Sequence, residues 1–250
     1  MIGIISAMQE EMHTLLENLQ EPTTTIKGMR TYYKGKLFDI EVVLVFSRWG
    51  KVASTTTATQ LINDYKIDEI VFTGVAGAVS QDLNIGDIVI GKHLYQHDID
   101  ASPLYQKFEV PLLGKTYFET SIPHREKLQQ AAQKFTNRCT DKIDTNTAKT
   151  FGIKHPKVIL SDIASGDQFI SEDYISNKLN LELPTVSCVE MEGAAVAQVC
   201  FEYAIPFSII RIISDKANDN AHIDFPKFAK EIASHYALDI LNNYFKTNLR

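Results

Sequence analysis

The chain has 250 residues, a formal net charge of −6 and a hydrophobic fraction of 44%, the values of a globular α/β protein with a buried core. This composition excludes wholesale disorder. The sequence carries no block of Lys and Arg residues and no apolar run long enough for a bilayer, so we expect neither nucleic-acid binding nor a membrane span.

The N-terminus and the cysteines indicate a reducing cytoplasm. Residues 1–5 are Met-Ile-Gly-Ile-Ile, which enters an apolar strand without the basic segment of a signal peptide. Cys139, Cys188 and Cys200 are odd in number and widely spaced, which favours neither a disulfide framework nor a zinc site. We expect buried thiols in a cytoplasmic protein.

Strand and helix patterns alternate over most of the chain, with no repeat or linker, which predicts a single domain over residues 1–250. In chain order the predicted elements are a strand at Gly3–Ser6, a helix at Glu10–Leu19, a hairpin of Tyr32–Lys36 with Ile40–Phe46, a helix at Val52–Tyr65, strands at Glu69–Thr73 and Asp87–Leu94, a helix at Pro123–Phe135, a strand at Val158–Ser161, a helix at Met191–Tyr203 and a strand at Phe207–Ile213.

A last helix has the clearest pattern. Asp224 can cap it and Pro226 falls in its first turn. Its apolar residues recur at helical spacing and are Phe228, Ile232, Tyr236, Ile240 and Tyr244.

The strands lack polar alternation, so helices should cover both faces of their sheet. We therefore predict a three-layer α/β/α sandwich with a central mixed, mostly parallel sheet. Residues 96–122 do not fit the alternation and carry Pro103, Pro111 and Gly114. Such an excursion is typical of a functional loop or an oligomer contact.

Five clusters of functional residues lie at strand ends or strand-to-helix junctions, and four of them contain a carboxylate. They are Ala7–Glu11, Gly74–Ala78, Ser165–Ile170, Glu190–Glu192 and Ser214–Asp215. Because ligands bind outside the carboxyl ends of strands in open α/β sheets, these clusters predict one acidic site. Gly74-Val75-Ala76-Gly77 lacks both nucleotide fingerprints and is interpreted as a turn that lets backbone approach a ligand.

Each cluster also has a purely structural explanation. Glu10, Glu11, Glu190 and Glu192 can complement helix N-termini, and Asp215 can form a turn. Phe169 can be a core residue. The convergence of all of them at one sheet edge favours the functional interpretation.

A metal site is not expected. His93 and His97 would share one face of an extended chain, whereas Asp98 and Asp100 would point to the other. Arg211, in a predicted buried strand, requires an acidic partner, for which either Glu190 or Glu192 would serve.

Six segments carry a resemblance to a known family: Gly3–Glu11, Gly50–Val52, Thr73–Gly77, Ser165–Ile170, Val189–Ala194 and Arg211–Ala217. In this order, over nearly the whole chain, they resemble the 5′-methylthioadenosine/S-adenosylhomocysteine nucleosidases. The resemblance implies a phosphorylase/hydrolase-like sandwich, a homodimer and no cofactor. It also implies cleavage of the N-glycosidic bond of adenine thionucleosides, giving adenine and an alkylthioribose.

The resemblance further implies roles for individual residues. Glu11 would be the base that activates water, and Asp215 the acid that protonates N7 of the leaving adenine. The implied substrate-binding residues are Gly77, Phe169, Ile170, Glu190, Met191, Glu192 and Ser214. Bond cleavage places positive charge on the sugar and negative charge on the departing base, which explains why acids gather. Asp215 must keep its proton near neutral pH and therefore needs an apolar setting or a neighbouring carboxylate.

Two alternatives remain open. A purine nucleoside phosphorylase of the same fold would need arginines for phosphate; Phe72 stands where similar phosphorylases carry Arg, and Glu10 and Glu11 would repel the anion, but Arg48 keeps this alternative open. A nucleoside-binding protein without turnover could lack Glu11 or Asp215, and both are present.

The segment after His97-Asp98-Ile99-Asp100 departs from the family pattern. By the resemblance, Leu104 would reach the pocket of a partner subunit. The departure leaves the preferred nucleoside open among methylthioadenosine, S-adenosylhomocysteine, 5′-deoxyadenosine and an aminodeoxyfutalosine-like nucleoside.

Overall fold

The computed structural model describes residues 1–138, 145–217, 225 and 227–248. Its strands are β1 (Ile2–Ser6), β2 (Gln20–Lys27), β3 (Arg30–Leu37), β4 (Ile40–Phe46), β5 (Glu69–Ala78), β6 (Ile88–Gln96), β7 (Phe118–Glu119), β8 (Val158–Ser165), β9 (Val186–Glu190) and β10 (Phe207–Asp215). Its helices are α1 (Gln9–Glu17), α2 (Lys51–Tyr65), α3 (Ile122–Thr136), α4 (Thr145–Thr150), α5 (Asp173–Glu182), α6 (Gly193–Glu202) and α7 (Ser234–Asn248), and a π-helical segment at Ala229–Ala233 leads into α7.

One mixed sheet forms the centre of the molecule, in the order β10-β6-β8-β9-β5-β1-β4-β3-β2. Strand β1 runs parallel to both β4 and β5, and β10 runs parallel to β5. Because β5 pairs with β9 as well as with β10, strands β5, β10, β6, β8 and β9 close into a ring. The carboxyl ends of β1, β5 and β10 therefore meet at one edge.

Helices cover both faces of this sheet, as predicted for a three-layer sandwich. Ile4 packs in one core cluster with residues of α1, α3 and α7, whereas its neighbour Ile5 packs in a second cluster with residues of α2 and α6. Successive strand residues point to opposite faces, so β1 is buried from both sides.

Most predicted elements are confirmed within a few residues, but the predicted turn at Gly74–Gly77 is wrong. Strand β5 continues through Ala78 because Gly74 pairs with Arg211 of β10 and Gly77 pairs with Val189 of β9. Strand β2 was not predicted, and all eight of its residues are exposed, so no apolar alternation marks it.

The apolar face of the last helix is confirmed, since its five predicted residues are all buried. Asp224 and Pro226, the predicted cap and first-turn residues, lie outside the described residues. Cys188 and Cys200 are buried free thiols, and Cys139 is not described. None of the helices described is long and apolar enough to cross a membrane.

Candidate active site

A cavity opens at the edge where β1, β5 and β10 end. Its lining residues are Ala7, Met8, Glu11, Trp49, Val75, Ala76, Gly77, Gln168, Phe169, Ile170, Val189, Glu190, Met191, Glu192, Arg211, Asp215 and Phe225. This set includes every predicted site residue except Ser214, whose hydroxyl donates a hydrogen bond to Asp215. The acids that the sequence placed in separate segments thus share one cavity.

Glu11 lies in the first turn of α1, and three backbone N–H groups hold its carboxyl. Its Oε2 accepts hydrogen bonds from the backbone N–H groups of Ala7 (2.9 Å) and Met8 (3.0 Å), and its Oε1 accepts one from Val75 (2.9 Å). Burial raises the pKa of Glu11 to about 7, although the charge of Arg211 and these hydrogen bonds lower it. The carboxyl can therefore exchange a proton near neutral pH.

Asp215 ends β10 on the cavity wall. Its Oδ2 accepts a hydrogen bond from Ser214 Oγ at 2.7 Å, and its Oδ1 accepts one from the backbone N–H of Ala217 at 2.8 Å. Burial raises the pKa of Asp215 despite both bonds, so the protonated form is favoured relative to an exposed aspartate.

Arg211 has a buried ionic partner, as predicted, and the partner is Glu190. Arg211 Nη2 lies 2.6 Å from Glu190 Oε2. Glu190 also accepts the N–H of Gly193 at the start of α6, and the Arg211 guanidinium lies 4.2 Å from the centroid of the Phe72 ring. Glu190 therefore combines the predicted helix-capping role with a position in the cavity lining.

Glu192 lies on the same wall and binds a second loop. Its Oε1 accepts a hydrogen bond from the backbone N–H of Gly50 at 2.8 Å. Burial, followed by the charge of Glu190, raises the pKa of Glu192 to about 8. This carboxyl is thus held next to the loop that carries Trp49.

Aromatic rings form another part of the lining. Phe169 is 42% exposed, so the interpretation of this residue as core is wrong. Its ring centroid lies 5.9 Å from that of Phe225, which in turn lies 6.2 Å from that of Trp49, both at edge-on angles. Ile170, next in the chain to Phe169, is buried.

Trp49 and Phe225 also line the cavity, and the sequence patterns predicted no site role for either. Trp49 directly precedes the Gly50–Val52 segment that carries the family resemblance, and this adjacency was the available signal. Phe225 falls at the start of the predicted last helix, between Asp224 and Pro226, and nothing in that helical pattern indicated a role in binding a ligand.

Two of the residues that suggested a metal, His93 and Asp98, have other partners. His93 Nδ1 lies 3.1 Å from Asp162 Oδ1, and Asp98 accepts hydrogen bonds from Lys51 Nζ (2.6 Å) and the Asp167 backbone N–H (2.8 Å). Across the described ranges, no group of three His, Cys, Asp or Glu side chains is arranged to hold a metal ion.

Arg48, which kept phosphorolysis open, lies outside the cavity lining. Its Nη2 donates to the Met29 carbonyl at 2.7 Å, and its side chain is exposed. The arginine in the cavity is Arg211, which is already paired with Glu190. This arrangement disfavours the phosphorylase alternative.

Comparison with known proteins places this geometry in a family. The profile of the Phosphorylase superfamily matches residues 1–246. A 5′-methylthioadenosine/S-adenosylhomocysteine nucleosidase of Staphylococcus aureus is 35% identical over 234 residues, covering 93% of this chain and 94% of the relative.

Solved structures of similar proteins support the same family. The Neisseria meningitidis nucleosidase of the same name, in complex with methylthio-immucillin-A, has a TM-score of 0.84 and 30% identity, covering 98% of both chains. The futalosine hydrolase of Helicobacter pylori has a TM-score of 0.84 and 30% identity, covering 98% of this chain and 97% of its own. The chain belongs to the phosphorylase superfamily and, within it, to the 5′-methylthioadenosine/S-adenosylhomocysteine nucleosidases.

Proposed function

We propose that this enzyme hydrolyses the N-glycosidic bond of 5′-methylthioadenosine and S-adenosylhomocysteine, releasing adenine and the alkylthioribose. The relatives with these activities in their names support the reaction. The observation that carries the proposal is that Glu11 and Asp215, 204 positions apart in the sequence, line one cavity as buried carboxyls.

Glu11 is the general base in this mechanism. Its ionised form takes a proton from water, and the water oxygen forms a bond to C1′ as the C1′–N9 bond breaks. Positive charge grows on the ribose during this step, and the Glu11 carboxylate stabilises it electrostatically as the proton moves. Glu192 forms hydrogen bonds with the ribose hydroxyls.

Asp215 is the general acid. The electron pair of the broken bond moves into the purine, and Asp215 delivers its proton to N7, so adenine leaves as a neutral molecule. The hydrogen bonds from Ser214 and Ala217 then hold the resulting carboxylate. Water and the two carboxyls therefore balance every proton in the reaction.

The remaining lining residues position the nucleoside. Phe169 stacks near the purine, whose edge is read by the backbone of Ile170, and Gly77 lines the pocket. Met191 packs on the sugar. We further propose that residues 1–250 form one nucleosidase domain in a cytoplasmic homodimer that acts in methionine salvage, with Leu104 near the pocket of the partner subunit.

Adenine release followed by absorbance, with and without inorganic phosphate, tests the reaction. We expect release from methylthioadenosine that does not depend on phosphate. Release that requires phosphate would support the phosphorylase, and tight binding without release would support a binding protein. A panel including 5′-deoxyadenosine and aminodeoxyfutalosine measures substrate preference, which the likeness to a futalosine hydrolase makes necessary.

A further inference from the structure

A shallow groove continues outward from the cavity past Trp49. Trp49 lines both spaces and is 54% exposed, so its ring forms the boundary between them. The charged side chains of the groove are Arg30, Arg48 and Asp167. Two cations and one anion thus lie directly outside the proposed active site.

The two guanidinium groups are held by neutral acceptors. Arg30 donates to Thr57 Oγ1 and to the backbone carbonyls of Gly28 and Ala53, while Arg48 donates to the carbonyl of Met29. Within the described part of the chain, no carboxylate forms an ion pair with either arginine. Their positive charge is therefore not neutralised by a described acidic partner.

The backbone at Arg48 is also unusual. Its φ of +73° lies in the left-handed region, which is costly for a residue with a side chain. Such strain is typical of functional positions and is maintained by surrounding contacts. Here it accompanies an exposed guanidinium in the groove beyond Trp49.

Asp167 supplies the opposite charge. Its Oδ1 accepts the backbone N–H of Lys51 at 2.7 Å, and the residue is exposed. This hydrogen bond ties Asp167 to the first residue of α2, directly after the loop that carries Arg48 and Trp49. The groove therefore presents guanidinium and carboxylate groups together, which is the charge pattern that complements a zwitterionic α-amino acid.

The orientation of the nucleoside follows from Glu192. This carboxyl, assigned to the ribose hydroxyls, accepts the N–H of Gly50, the residue after Trp49. The sugar is consequently adjacent to Trp49, and a 5′ substituent can extend over that ring into the groove. A thioether sulfur packs favourably against an aromatic ring.

We infer that the groove of Arg30, Arg48 and Asp167 binds the amino-acid end of S-adenosylhomocysteine, with Arg48 contacting the α-carboxylate and Asp167 the α-ammonium group. This inference rests on the proposed function. It identifies S-adenosylhomocysteine as the substrate that the groove outside the cavity recognises. Arg30, tied by three hydrogen bonds, forms the groove wall and adds positive potential.

The test compares kcat/KM for S-adenosylhomocysteine with that for 5′-n-propylthioadenosine, which keeps the thioether carbons and lacks both charged groups. In Arg48→Gln this ratio should fall about tenfold, the effect of losing a charge-assisted hydrogen bond. Arg48→Lys should reduce the ratio less because it keeps the charge. Asp167→Asn, which retains an acceptor for Lys51, should also reduce it.

Arg138→Gln is the matched control, since Arg138 is an exposed arginine in a different groove, and it should leave the ratio unchanged. Because the ratio is internal to each variant, partial loss of folded enzyme does not alter it. Intact turnover with equal ratios in the wild type and Arg48→Gln would overturn the groove assignment alone. Absence of adenine release from every nucleoside by the wild type would instead overturn the proposed function, and the groove assignment with it.

Discussion

Gly77 and Asp215 are paired across neighbouring parallel strands, and a Cβ atom added to Gly77 would lie 2.8 Å from Asp215 Oδ1. The glycine thus leaves the space that the proposed acid occupies. A contact this short requires the Asp215 carboxyl to move. The added Cβ has no room to shift instead, because the Cβ of Ala217 would lie only 3.0 Å from it.

The first prediction follows from this contact. Gly77→Ala should lower kcat by about tenfold or more, because a displacement of an ångström or less misaligns a proton donor. Adenine release measures the rate, and thermal melting shows whether the variant is folded. A folded Gly77→Ala enzyme with wild-type kcat would contradict the predicted displacement of Asp215.

The second prediction concerns the buried pair of Arg211 and Glu190. Arg211→Met leaves the Glu190 charge buried without its partner, so the free energy of unfolding should fall by about 3–5 kcal/mol. Urea denaturation measures this change. Arg211→Met combined with Glu190→Gln should recover most of the loss, because Gln keeps an acceptor for Gly193 and carries no charge. Equal stability of the single and double variants would contradict this explanation.

The third prediction is the pH dependence of stability. Burial raises the pKa of Glu11 from 4.5 to about 7 and that of Glu192 from 4.5 to about 8. Between pH 4.5 and about 8 the folded state therefore binds more protons at these two groups than the unfolded state does. Their contribution to the free energy of unfolding is fully present below pH 4.5 and is lost as the pH rises through the folded pKa values.

Urea denaturation at the two ends of this range provides the measurement. Glu192→Gln, which keeps an acceptor for Gly50, should make stability decrease less steeply with pH than it does in the wild type. A Glu192→Gln profile parallel to that of the wild type would show that the Glu192 carboxyl is not protonated in the folded protein in this range.

The fourth prediction tests the proposed homodimer. Leu104 is 84% exposed in the single chain, in the excursion that we assign to the partner contact. Leu104→Glu should weaken dimerisation, because it places a charge in an apolar contact. Leu181, on α5, is also 84% exposed, so Leu181→Glu is the matched control. Sedimentation velocity over a concentration series distinguishes them; identical dimer fractions in both variants would remove Leu104 from the interface.

The sequence predicted the acidic edge well because parallel strands deliver their carboxyl ends to one place. The short apolar runs at Gly3–Ser6 and Phe207–Ile213 were sufficient to locate Glu11 and Asp215 at this edge. Their shared cavity depends on sheet order, which no local pattern encodes.

Other features depended on tertiary pairing. Gly74 favours a turn by local propensity, yet hydrogen bonding to β10 keeps it in β5. The absence of a Cβ at this position makes room for Glu11, whose Oε1 would lie 2.9 Å from an added Cβ. Trp49 and Phe225 meet only through the fold, so the aromatic wall could not be read from either segment alone. The groove outside Trp49 is likewise lined by residues from separate segments of the chain, which only the fold brings together.

In the proposed mechanism, Glu11 activates water for attack on a nucleoside whose purine is protonated by Asp215. The most direct test is the rate of adenine release from methylthioadenosine by Glu11→Gln, with Glu10→Gln as the exposed neighbouring control and calorimetry to show that substrate still binds. We predict a fall of about 10²–10⁴-fold for Glu11→Gln, the contribution of a general base, and a near-normal rate for Glu10→Gln. A near-normal rate for Glu11→Gln would show that Glu11 is not the base.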